Sequence, residues 1–138
     1  MFELKHHHAA MSVPDLEASI AWYDRVLGFK LEKRFHIPAI PADCAMLRRE
    51  DMRVELFQAK DSAPAADARR HPDTDAKTHG NKHAAFAVRD VAPVEAALLA
   101  AGADVVFVKK HDFGGANIFI RDNAGNPIEF VQQPEMFS

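Results

Sequence analysis

Residues 82–90 read KHAAFAVRD, and residues 8–15 read HAAMSVPD. Laid one on the other, His8 falls on His83, Met11 on Phe86, Val13 on Val88 and Asp15 on Asp90, with the Ala-Ala pair repeated between them, each pair 75 positions apart. Further on, Gly28 falls on Gly102 and Val54-Glu55-Leu56 on Ile128-Glu129-Phe130, now 74 apart, so one residue is lost between Asp90 and Gly102. Self-similarity at a fixed offset over half a chain signals repeated architecture and outranks any local pattern. The chain is two copies of one module.

Local patterning gives the module its form. Residues 4–13 alternate as a strand does, with His7, Ala9, Met11 and Val13 on a packed face and His6, His8, Ala10 and Ser12 on the other. Asp15 is placed to cap a helix whose apolar Leu16, Ile20, Tyr23 and Leu27 follow the helical period, and Gly28 suits the left-handed position that ends it. Residues 29–36, 44–49 and 52–58 then read as strands, broken by the Pro38 and Pro41 stretch and by Arg49-Glu50-Asp51. The second copy follows suit. A strand over 82–88 leads to a helix capped by Asp90, with Val91, Val94, Leu98 and Ala101 on one face and Gly102 as its stop. Strands over 105–110, 116–122 and 127–133 complete it, with 123–126 as a turn. The expected class is α+β: two βαβββ modules over 1–58 and 82–133 in a single domain, with a tail at 134–138.

With 138 residues and 48% hydrophobic content the chain has material for one ordinary core, whereas either module alone would be marginal. A net charge of −3 gives no general attraction to nucleic acid or to anionic membrane. The N-terminal MFELKHHH lacks a signal core, and no run is apolar for long enough to span a bilayer, so the cytoplasm is the expected location. The lone Cys44 has no disulfide partner and no activating base beside it, and is expected to be an inert, half-buried thiol. Between the modules, residues 59–81 are charged, aperiodic and long for a connection, which makes them a linker or a lid. Arg69 and Arg70 could clamp an anionic group there, although a solvated charge run explains them as well.

The chemistry lies in the matched pairs. Each module offers an imidazole from its first strand and a carboxylate from its last, so His8, Glu55, His83 and Glu129 can converge about a pseudo-two-fold axis. Mixed imidazole and carboxylate ligation suits Ni, Co, Fe, Mn or Zn, and four protein ligands leave two positions open on an octahedral ion. Ala10, Ser12, Ala85 and Ala87 share the histidine faces and are too small to fill the space there. Taken singly, a histidine in a strand is usually structural and a glutamate between apolar residues usually faces solvent. Pairing across a duplication is what raises these four above that background. His6-His7-His8 is short for a purification tag, and only His8 is in register with His83. His36, His71, His79 and His111 have no matched carboxylate and default to surface or loop positions.

Taken together, HHHAAMSVPDLEASIAWYDRVLGF at 6–29, VELF at 54–57, KHAAFAVRDV at 82–91 and DNAGNPIEFVQ at 122–132 make the chain resemble the vicinal oxygen chelate superfamily, the glyoxalase and bleomycin-resistance-like proteins. The resemblance implies paired βαβββ modules forming an open eight-stranded barrel-like sheet around a metal, often in a dimer whose modules pair within or between chains. Carried over by position, the family's metal ligands are His8, Glu55, His83 and Glu129, and a complete His/Glu/His/Glu set looks most like glyoxalase I and the isomerases. The chain departs from family glyoxalases before the second histidine, where Asn81 and Lys82 separate Gly80 from His83. Glutathione contacts therefore do not carry over. The expected function is a divalent-metal lyase or isomerase acting on a small substrate that chelates the ion through vicinal oxygens. An enediolate-like anion would be stabilised while Glu129 or Glu55 moves a proton. The alternatives are an extradiol-type dioxygenase and a small-molecule sequestering protein. Exposed strand edges and the resemblance together lead to the expectation of a homodimer.

Overall fold

The structure is a computed structural model describing residues 1–112 and 114–137. It divides into two compact units, Met1–Ala63 and Pro64–Ser138. In the first, β1 (Ala9–Ser12) leads into α1 (Leu16–Leu27), followed by β2 (Lys30–Ile37), β3 (Ala42–Arg49) and β4 (Met52–Ala59). The second opens with a 3-10 turn (Asp67–Arg69) and the short α2 (Pro72–Asp75). It then repeats the plan with β5 (Ala84–Val88), α3 (Val91–Ala100), β6 (Asp104–Lys110), β7 (Ala116–Arg121) and β8 (Pro127–Gln132). The sheet orders, β1-β4-β3-β2 and β5-β8-β7-β6, are the same, with the first and last strands of each module parallel and the remaining neighbours antiparallel. The α+β class and the paired βαβββ modules stand as expected. The eight strands form two four-stranded sheets, one in each unit.

Each helix is built by the residues that the duplication singled out. The Asp15 carboxylate accepts from Ala18 N at 3.1 Å and the Asp90 carboxylate from Ala92 N at 3.0 Å, while Gly28 and Gly102 take φ of 69° and 74° beyond the helix ends. A second cap comes from far along the chain. Gln58 Oε1 accepts from Leu16 N at 2.7 Å, and Gln132 Oε1 accepts from Val91 N at 2.9 Å. The last residues of each module thus satisfy an N–H that the first helical turn leaves open, and tie the fourth strand to the helix that follows the first. Gln132→Ala is expected to destabilise the protein by about 1 kcal/mol, in the range of a lost helix cap, with Gln58→Ala doing the same; denaturant midpoints at an unchanged m-value would show it.

The helix-facing sides of the sheets carry the cores. In the first unit Met11, Val13, Leu47, Val54 and Leu56 are buried with Leu16, Tyr23 and Leu27 of α1; in the second Ile118, Ile120, Ile128 and Phe130 are buried with Val91 and Leu98 of α3. The opposite face of each sheet, where alternation puts residues two apart in sequence, is left for the site.

Three expectations need correction. The strand expected over 4–13 is a strand only as Ala9–Ser12, with one further backbone bond from Val13 N to the Phe57 carbonyl at 2.9 Å; its pairing with β4 starts with Ala9 opposite Val54, and because β4 begins at Met52, residues 4–6 have no residue of β4 opposite them. His7 is exposed and not packed, its Nδ1 2.7 Å from His8 Nδ1. Cys44 is fully and not half buried, at 1% exposure. Burial pushes its thiol pKa up, and the negative charges of Glu55 and Asp43 push it further in the same direction. An inert thiol follows.

Candidate metal centre

Both histidines occupy the residue just before a strand, His8 ahead of Ala9 and His83 ahead of Ala84. The pairing register then does the same thing twice: Ala10 lies opposite Glu55 in the first sheet, and Ala85 opposite Glu129 in the second. Because alternate residues share a face, His8 and Glu55 fall on one side of their sheet, as do His83 and Glu129. His8 Nε2 stands 3.8 Å from Glu55 Oε1, and His83 Nε2 stands 3.3 Å from Glu129 Oε1. All four side chains are half-buried, and each unit presents one imidazole nitrogen toward one carboxylate oxygen. The neighbours expected to be small leave room, since Ala10, Ser12 and Ala85 are exposed.

Among the described residues no group of three or more His, Cys, Asp or Glu side chains could hold a metal ion. Each unit by itself supplies one imidazole and one carboxylate, half of a four-ligand set. The donor types nevertheless fit a borderline divalent ion: two nitrogens and two carboxylates carry two negative charges, and no thiolate competes, the one cysteine being buried and protonated.

The two halves differ in what surrounds them. In the second unit, Asn117 Nδ2 donates to Glu129 Oε2 at 2.9 Å, and His111 Nε2 lies 3.0 Å from Asn117 Oδ1. The Phe119 ring meets His83 edge-on with centroids 4.7 Å apart, and Phe107 lies 5.2 Å beyond Phe119. In the first unit the position diagonal to the glutamate on the adjoining strand is Cys44 instead of Asn117, and Met46 stands opposite Glu55 where Phe119 stands opposite Glu129. Sequence reading left His111 as a loop residue and did not single out Asn117.

Residues 64–81 cluster with the second unit. Asp75, 3% exposed, receives Arg69 Nε at 3.0 Å and Lys82 Nζ at 3.2 Å. Burial alone would raise the Asp75 pKa, but the hydrogen bonds and charges of Arg69 and Lys82 outweigh it and hold the carboxyl below its ordinary range. Lys82 also donates to the Asp75 carbonyl at 2.8 Å and to the Thr78 carbonyl, so the residue directly before His83 is anchored three times. The two residues that depart from the family pattern, Asn81 and Lys82, are part of this anchor, since Arg69 donates to the Asn81 carbonyl at 2.9 Å. Arg69 is thereby committed to Asp75 and Asn81, and the Arg70 guanidinium lies against Gly125.

Paired βαβββ modules, each presenting a histidine before its first strand and a glutamate on its last, define a class of two-module α+β proteins with one potential half-site per module. The family model described as the Glyoxalase/Bleomycin resistance protein/Dioxygenase superfamily matches residues 5–130, and the chain belongs to that superfamily. Among solved structures, it is similar to a glyoxalase family protein from Enterococcus faecalis, with 25% identity and a TM-score of 0.78 over 95% of this chain and 99% of that one. The trypanothione-dependent glyoxalase I of Leishmania major shares the fold at 21% identity and a TM-score of 0.71, covering 98% of this chain and 91% of that one. The lactoylglutathione lyase of Agrobacterium tumefaciens does so at 21% identity and a TM-score of 0.63, with 92% of each chain covered. No curated protein sequence matches the chain. No helix among the described residues is long and apolar enough to cross a membrane.

Proposed function

We propose that the chain is a divalent-metal enzyme of the glyoxalase type, a lyase or isomerase whose small substrate reaches the ion through two vicinal oxygens. The observation that carries the proposal is the repeated register: the same imidazole and the same carboxylate meet on the same face of both sheets. A histidine kept for packing has no reason to find a glutamate at the equivalent place in a second copy. Two such pairs, from one chain or from two, make the His8, Glu55, His83 and Glu129 set. A bound divalent ion supplies Lewis-acid polarisation of a substrate carbonyl. The chain's own contribution is positioning and proton transfer. His8 and His83 fix the nitrogen ligands at strand ends, the small side chains Ala10 and Ala85 leave space for substrate, and a carboxylate, Glu55 or Glu129, takes the proton from the carbon beside the carbonyl and returns it.

Two solved structures that share the fold are named as glyoxalase I and lactoylglutathione lyase, chemistry of the kind proposed here. A homodimer belongs to the same proposal: Phe2 and Leu4 are 75% and 84% exposed, and the edge strands β2 and β6 carry the exposed Leu31 and Val108. Apolar groups and open edges of this kind are usually covered by another chain. The test is to load the metal-free protein separately with Ni, Co, Zn, Mn and Fe(II), weigh the species by sedimentation, and screen α-hydroxy and α-keto compounds for turnover. The expected result is a dimer holding about one ion per chain and isomerase or lyase turnover that consumes no oxygen. Oxygen uptake with catechols would move the assignment to an extradiol-type dioxygenase, and ligand binding without turnover in every metal form would move it to a sequestering protein.

A further inference from the structure

The two half-sites are not equivalent, and the difference lies in one side chain. β7 and β8 pair Phe119 with Glu129 and Asn117 with Val131, which sets Asn117 diagonally across from Glu129 on the same face. Its Nδ2 donates to Glu129 Oε2 at 2.9 Å. Its Oδ1, an acceptor only, lies 3.0 Å from His111 Nε2, so that nitrogen carries the proton and donates. His111 is itself held where the chain turns between β6 and β7, its backbone N–H donating to the Gly115 carbonyl at 3.0 Å. The first unit has nothing of the kind. The corresponding diagonal position is Cys44, buried, with its thiol 3.8 Å from the Ala42 carbonyl.

We infer that Asn117 is a positioning residue for Glu129: the His111–Asn117 pair engages Oε2 and leaves Oε1, the oxygen beside His83 Nε2, as the one that Glu129 offers to an ion. The inference rests on the metal-enzyme proposal above and adds to it that the second half-site is orientationally fixed by an outer hydrogen-bond partner while the first is not. A carboxylate whose orientation is set by such a partner binds metal more tightly than one that must find its rotamer on binding, and losing the partner typically costs about 10–100-fold in affinity.

The test measures Co(II) dissociation constants by chelator competition for wild type, Asn117→Leu, Asn117→Ala, His111→Ala, Cys44→Ala and Glu129→Gln, together with the thermal midpoint of each metal-free protein. Asn117→Leu and Asn117→Ala, which remove the donor with and without leaving a space, are expected to weaken Co(II) binding by about 10–100-fold. Their metal-free midpoints should stay near wild type. His111→Ala should weaken binding in the same direction by less, and Cys44→Ala should leave it within about twofold of wild type, having no outer partner of this kind to remove. Wild-type affinity in both Asn117 variants alongside a loss in Glu129→Gln would overturn the inference while leaving the site intact. So would an equal loss in Cys44→Ala. A wild type that takes up no Co(II) would instead bring down the metal-enzyme proposal and this inference with it.

Discussion

His83→Ala protein is expected to lose most of its affinity for divalent metal, and His8→Ala to do likewise. An imidazole ligand is being deleted in each case, so the loss should exceed the about 10–100-fold that goes with an outer partner. The reason for expecting both is the shared register: each histidine stands two residues before the alanine that faces a glutamate, with the Nε2 atoms 3.8 and 3.3 Å from the carboxylate oxygens. The effect is also expected in stability, since an ion that binds only the folded chain at about 100 times its dissociation constant adds about 2.7 kcal/mol. Thermal unfolding with and without metal measures it. Wild type should show a metal-dependent rise in midpoint and both alanine variants little or none, and a rise of wild-type size in both would show that neither histidine binds the ion.

The second large effect concerns turnover. Glu55→Gln and Glu129→Gln replace a carboxylate by an amide of nearly the same shape that can still ligate but cannot take a proton. Whichever of them is the base is expected to lose about 10²–10⁴ in kcat, with metal occupancy falling by much less. With a substrate found by screening, turnover in heavy water should place deuterium on the carbon beside the carbonyl in wild type, or show the hydrogen carried across without exchange. Full activity in both variants, or oxygen uptake stoichiometric with product, would rule out proton transfer by these glutamates.

The duplication made most of this legible. The alignment of His8 with His83 and of Glu55 with Glu129 says that the two modules share one plan, and the structure pairs first and last strands in parallel in both units, with Ala10 opposite Glu55 and Ala85 opposite Glu129. Gln58 and Gln132 lie in that same 74-residue register and could have been read as a matched pair, yet nothing in local sequence says that a strand-end amide will reach the N-terminus of a helix some 40 positions earlier. That contact depends on the parallel crossover. The first strand is shorter than its alternation suggests because alternation reports which face a side chain takes but not whether a partner backbone is present, and β4 begins too late to supply one for residues 4–6. Asn117 and His111 were missed for a related reason. The antiparallel register of β7 with β8, Phe119 opposite Glu129 and Asn117 opposite Val131, decides which residue sits diagonal to Glu129, and a register has no signature in composition. The charges of residues 64–81 looked like a solvated run, but Asp75 is buried between Arg69 and Lys82, an arrangement that becomes visible only once the segment is folded back on the second unit.

The central proposal is that two imidazole–carboxylate pairs, His8 with Glu55 and His83 with Glu129, from one chain or from two, hold one divalent ion. X-ray absorption spectroscopy of the Zn- or Ni-loaded protein tests it most directly, because multiple scattering from imidazole rings counts histidine ligands and sulfur is distinguished by its longer bond, about 2.3 Å against about 2.0–2.1 Å for nitrogen. The account predicts a shell of nitrogen and oxygen only, with two imidazoles in wild type and one in either His8→Ala or His83→Ala where metal can still be loaded at high concentration. A sulfur ligand, or an imidazole count unchanged by both substitutions, would contradict it.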